Sequence, residues 1–166
     1  GMLLLEGGGL RHPLIWNYLD APAALPAAGF TYWMPLGSLL TVAGAALGGG
    51  FFTARLPFWL LAAAVPPLTV RLGMALHGER RKAVLGGCFA LLPLYYLAYL
   101  PTTDIFGVYM LMGGAILLLA KTGSAAIPRW FACGLLTGLM HLARADGIFW
   151  MAGILVLSFV PVFSAI

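Results

Sequence analysis

Apolar residues run almost unbroken through 56–76, 83–100, 105–120, 130–143 and 148–166, separated by short polar segments. Each run is near or a little below the ~20 residues that an α-helix needs to cross a bilayer, so the pattern predicts five membrane spans. A further apolar stretch, 32–50, has a different character. It holds Pro35 and many small residues, lacks clear polar flanks, and comes after the proline-rich lead-in WNYLDAPAALP. It could span, but these features favour a helix lying in the interface.

Composition sharpens that reading. Hydrophobic residues make up 62% of the 166 positions, charged residues only 8%, and the mean hydropathy is +0.99. A soluble domain with a polar shell is thereby excluded, and the expected fold is all-α: a polytopic helical membrane protein of about five spans plus an interfacial helix. No positively charged segment precedes an apolar core and a small-residue cleavage site at the amino end, so no signal peptide is expected. Cys88 and Cys133 lie inside apolar stretches without CxxC spacing and are expected to pack as small hydrophobes.

The net charge of +4 reads as topology, because no basic run with interleaved aromatics suggests nucleic acid. Lysine and arginine concentrate in cytoplasmic loops close to the membrane. HGERRK at 77–82 is the densest basic cluster, and the 121–129 loop lies two crossings away, so both are assigned inside. The segments at 100–104 and 144–147, with Arg55 and everything before it, then fall outside. The expected organisation is an extracytoplasmic loop with a juxtamembrane helix over 1–54, succeeded by a transmembrane bundle over 55–166.

The outer face therefore collects the residues that could carry chemistry: Asp20, Tyr32, Arg55, Asp104, Arg144 and Asp146, with His141 one turn below Arg144. Asp104 closes PTTD before a predicted helix, where an acid caps the first-turn amides and also stands at the membrane surface. Arg144 lies near a span end, where a long cation reaches the interface; it either pairs with Asp146 or holds a lipid phosphate. Tyr32 and Trp33 suit headgroup depth, with anchoring the default reading and substrate stacking the minor one. Gly134 and Gly138 form a GxxxG that predicts close helix packing. No second histidine stands at ligand spacing from His141, so no metal and no cofactor are expected.

The segments WNYLDAPAALP, FTYWMPLGSLL, ARLPFWLLAAAV, YLPTTDIF and GLMHLARADGIFW, in that order, resemble signatures of bacterial GT-C membrane glycosyltransferases. The likeness is to the family 39-like branch of protein O-mannosyltransferases and lipid A aminoarabinose transferases, and it runs through nearly the whole chain. It implies a multi-pass enzyme of the bacterial cytoplasmic membrane that uses a polyprenyl-phosphate-linked sugar at the extracytoplasmic face. By this likeness Asp104 corresponds to the acid opening the second outer loop, a catalytic position. Arg144, and less directly Arg55, correspond to cations near the donor phosphate. The stretch GMLLLEGGGL resembles the segment just downstream of the family's catalytic acid, Glu6 does not match that acid, and the basic residue before the Tyr-Trp pair is replaced by PAAGF. The chain thus resembles an amino-terminal portion whose remaining helices belong to a longer protein. Two alternatives stay open: a non-catalytic membrane protein that binds a lipid-linked sugar or a partner subunit, and a small transporter component.

Overall fold

A computed structural model of the chain describes residues 2–12, 25, 27–29, 34–92, 98–99, 102–121 and 127–159. The described chain is mostly helical. Helices α1 (Met2–Leu5), α2 (Leu36–Ala45), α3 (Phe51–Ala63), α4 (Val65–His77), α5 (Arg80–Ala90), α6 (Phe106–Lys121), α7 (Ile127–Ala143) and α8 (Gly147–Phe159) succeed one another in sequence. Among the described residues the β structure is one antiparallel ladder, β1 (Arg11–His12) on β2 (Ala27–Ala28), with Arg11 opposite Ala28.

Ala64 alone separates α3 from α4, and its αR backbone carries the chain from one into the other. Pro66 and Pro67 fall in the first turn of α4, where a missing N–H leaves no helical bond unmade. The two helices therefore run on as one stretch of 27 residues, Phe51–His77, about 40 Å long at 1.5 Å per residue. Among the described residues this is the stretch long and apolar enough to cross a membrane, while Leu36–Ala45, Phe106–Lys121 and Gly147–Leu157 are shorter apolar helices.

Helix α2 folds back antiparallel along α3, and Gly44 is the reason it comes so close. Pro57 has no N–H for the carbonyl of Thr53, four residues earlier, and the backbone at Gly44 covers that oxygen. A Cβ at position 44 would overlap the Thr53 oxygen and lie 2.7 Å from Pro57 Cδ.

Close contacts fix the direction of the other helices. Gly107 sits against Ala62 and Gly114 against Leu68, so α6 runs parallel to the long α3–α4 stretch. Gly73 meets Ala83, and Gly87 meets Pro66 and Val70, so α5 returns antiparallel to α4. Helix α7 descends α6 in the opposite sense, and α8 returns with Trp150 against Gly113. The core lies where α3, α6 and α7 meet, in Phe58, Val108, Met112, Ile116, Met140 and Ala143, with Leu36, Leu40, Trp150 and Ile154 packed around it.

One end of the bundle consequently carries the α4–α5 turn at Gly78-Glu79, Lys121 and Arg129. The other carries Asp104 and the α7–α8 corner at Arg144–Asp146. The apolar runs predicted at 105–120, 130–143 and 148–166 correspond to α6, α7 and the described part of α8. The run at 56–76 begins earlier, at Phe51, because the aromatic residues and Thr53 extend the helix outward. The run at 83–100 is represented by α5, with 93–97 and 100 outside the described residues. The helix expected over 32–50 is Leu36–Ala45. The close packing expected at Gly134 and Gly138 is not made by any described element: a Cβ at either would meet nothing within 4 Å. Helix α7 packs instead through Cys133, Thr137 and Met140, all wholly buried.

Candidate functional site

Three charged residues converge on the end opposite the basic turn. Asp104 precedes α6 and forms an Asx turn there. Its Oδ1 accepts the Phe106 amide at 3.1 Å, while its own amide donates to Thr102 Oγ1 at 3.2 Å. Thr102 in turn donates its hydroxyl to the Tyr99 carbonyl at 2.6 Å. The carboxylate is thus held in place through one oxygen. Oδ2 makes no hydrogen bond with a described residue, and Asp104 is among the residues that line the cavity described below.

Arg144 directly follows α7, its amide still bonded to the Met140 carbonyl at 2.9 Å, and three residues later α8 begins. So tight a corner brings the helices into direct backbone contact at Gly147, where a Cβ would strike Met140 and His141. The corner turns the Arg144 side chain onto its neighbour. Nε lies 3.1 and 3.2 Å from the two Asp146 oxygens, and Nη2 lies 3.1 Å from Oδ2. The guanidinium also stacks over Phe106 and Tyr109, with Cζ 5.2 and 5.7 Å from their centroids.

This arrangement fixes both charges. The hydrogen bonds from Arg144, opposed by partial burial and helped by the Tyr109 hydroxyl, hold the Asp146 carboxyl below its usual range. The same bonds raise Arg144 further above its usual value, with Asp104 contributing at longer range. With side chains 38% and 44% exposed, the pair contributes little to stability once solvent screening is counted, of order 0–1 kcal/mol. Its effect is orientation: Asp146 engages Nε and Nη2, and Nη1 has no hydrogen bond to a described residue.

These groups line a cavity of about 770 Å³ together with Thr103 and, from α2, Gly37, Ser38 and Thr41. Ile105, Phe106, Ala143 and Met34 give it an apolar side. A cation, two carboxylates, hydroxyls and an apolar flank thus share one cavity.

Of the residues singled out in the sequence, the cavity unites Asp104, Arg144 and Asp146. Arg55 is not among its lining. It lies further along α3, with Cζ 4.7, 5.7 and 4.9 Å from the rings of Phe51, Phe52 and Trp59. His141 turns its Nδ1 to the Ala145 carbonyl at 3.3 Å and braces the corner. Asp20 and Tyr32 lie outside the described residues. Ser38, Thr41 and Tyr109 were not singled out; the first two stand at the i and i+3 positions of a small-residue face on α2, a signal that was present. Among the described residues no three His, Cys, Asp or Glu side chains gather as metal ligands.

No protein family, characterised protein or solved structure matches this chain.

Proposed function

We propose that the chain is a multi-pass membrane protein, part of a GT-C-like glycosyltransferase that takes a polyprenyl-phosphate-linked sugar at the extracytoplasmic face of a bacterial cytoplasmic membrane. The observation that carries the reading is the convergence of Asp104 and Arg144 on one cavity, at the end of the bundle opposite Arg80, Arg81, Lys82 and Lys121. The long apolar stretch Phe51–His77 and the exposed apolar side chains of α7 and α8, among them Phe131, Leu135, Phe149 and Met151, support the membrane setting. With the basic end in the cytoplasm, the cavity opens on the other side.

In this reading Arg144 holds the donor phosphate. A phosphate accepts two or more charge-assisted hydrogen bonds from a guanidinium, and the Asp146 fork keeps the side chain from collapsing away from it. Positive charge at that oxygen stabilises the lipid phosphate as the bond to the anomeric carbon breaks. An acceptor hydroxyl or amine attacks that carbon as its proton passes to a carboxylate. Asp104, tied by one oxygen and open at the other, positions the acceptor or the sugar. The general base is assigned outside the described residues.

The test is binding of polyprenyl-phosphate sugars to the purified protein in nanodiscs, wild type against Arg144→Gln. Loss of a charge-assisted contact of about 1.5–3 kcal/mol weakens affinity roughly 10- to 150-fold. Stability changes by about 1 kcal/mol or less, since the Asp146 pair is half exposed. Equal affinity in the variant refutes the assignment. A non-catalytic binding protein is the second reading, favoured by the Asp104–Phe106 bond, which makes the carboxylate a fixed acceptor. Sugar transfer by the protein separates the two.

A further inference from the structure

At the opposite end of the bundle, Arg129 is 8% exposed, yet its Nε and Nη1 are buried with no hydrogen-bond partner among the described residues. A guanidinium cannot shed its proton, so burial cannot be relieved by neutralisation as it can for lysine or histidine. Its Cζ stacks 4.7 Å from the Trp130 centroid, which compensates the lost hydration only in part and satisfies none of the N–H donors. One turn further on, Cys133 is wholly buried and brings no hard anion.

The charges described at this end of the bundle do not supply a partner either. Arg80, Arg81, Lys82 and Lys121 lie at the same end, and Glu79 is the acid described there. Glu79 Oε1 already accepts Lys82 Nζ at 2.8 Å. Arg129 also stands in the first turn of the 17-residue α7, where the positive end of the helix dipole adds to the demand for an anion.

We infer that Arg129 anchors a phosphate-binding site at the basic end, filled by a phospholipid headgroup or by free phosphate. Phosphate supplies several acceptor oxygens and the negative charge that Arg129 and the α7 amino terminus jointly require. The inference rests on the proposed bilayer setting, though not on the identity of the donor in the distant cavity.

The full chain is reconstituted in vesicles of phosphatidylcholine alone or with phosphatidylglycerol, and flotation is scored first. Protein that fails to float with either vesicle overturns the bilayer reading and with it this one. For protein that floats, thermal unfolding and native mass spectrometry are compared across three conditions: phosphatidylglycerol, phosphatidylcholine, and detergent with added inorganic phosphate. A retained phosphatidylglycerol, with Tm raised by roughly 5–10 °C at a hundredfold excess over Kd, identifies the lipid headgroup. The same rise with inorganic phosphate alone identifies a soluble phosphate. Arg129→Gln loses the rise in either case, Arg129→Lys keeps part of it, and an Arg80→Gln, Arg81→Gln double variant retains it. Wild-type Tm that responds to neither anion overturns the site without reference to any variant, as does a full response in Arg129→Gln.

Discussion

Replacing Gly147 by alanine tests how the α7–α8 corner holds the cavity. The added Cβ would fall 2.5 Å from the Met140 carbonyl carbon and 2.6 Å from His141 Cα, and against the His141 amide nitrogen. Carbon atoms rest about 3.5–4.0 Å apart, so α8 must withdraw by roughly 1 Å. Overpacking of this kind costs about 1–3 kcal/mol, and the upper half applies because the obstructing atoms are backbone and cannot rotate aside. Alanine returns up to about 1 kcal/mol of helix propensity. The net loss of about 2 kcal/mol corresponds to a Tm lower by roughly 4–8 °C. Asp146 immediately precedes the displaced residue, so the fork to Arg144 loosens too, and affinity for a polyprenyl phosphate should fall roughly tenfold, the equivalent of one weakened charge-assisted bond. The control is Gly153→Ala on the same helix, where a Cβ meets nothing within 4 Å and Tm should hold or rise. Thermal unfolding and probe binding in one detergent measure both effects. A Gly147→Ala protein that melts at or above the wild type refutes the close contact and the reasoning built on it.

Asp104→Ala removes the acceptor for the Phe106 amide and should cost about 1 kcal/mol in thermal unfolding, whereas Asp104→Asn keeps that acceptor and should cost little. If the carboxylate charge serves sugar transfer, both variants lose transfer alike while differing in Tm. The pH dependence comes from Asp146, whose folded carboxyl titrates below its usual value because Arg144 binds the charged form. Its contribution is fully present above the ordinary carboxylate range, near pH 4, and is lost as pH falls through the lowered folded value. Arg144 stays protonated throughout. Tm of the wild type should therefore drop below about pH 4 by a few degrees more than that of Asp146→Asn, and parallel profiles would remove the ion pair from the account.

Much of the helical order was legible because apolar runs and their polar interruptions mark where helices begin and end. The run at 105–120 and helix Phe106–Lys121 differ by a single residue at each end, since Asp104 caps one and Lys121 closes the other. The proximity of Asp104 to Arg144 was also legible, because alternating directions put every second corner at the same end. Neighbour relations were not. Nothing in the apolar pattern says that α2 lies along α3, because that pairing depends on one glycine meeting one proline-freed carbonyl. Arg55 illustrates the limit: the resemblance sets it near a donor phosphate, and nothing in the pattern announces the rings of Phe51, Phe52 and Trp59 that lie beside it. Arg129 was legible only as a topological charge, because its burial arises from tertiary packing rather than from its position in a loop.

The close approach at Gly44 also makes α2 a support for the helix it covers. A side chain at 44 is barred by the Thr53 oxygen and by the Ala54 Cα, 3.0 Å from where its Cβ would lie, whatever residue stands at 57, and loss of the hairpin would leave that oxygen to bend the long helix toward whatever donor it finds. Residues 36–45 thus act as a splint for the upper third of Phe51–His77, and glycine at 44 is the condition for their lying against it.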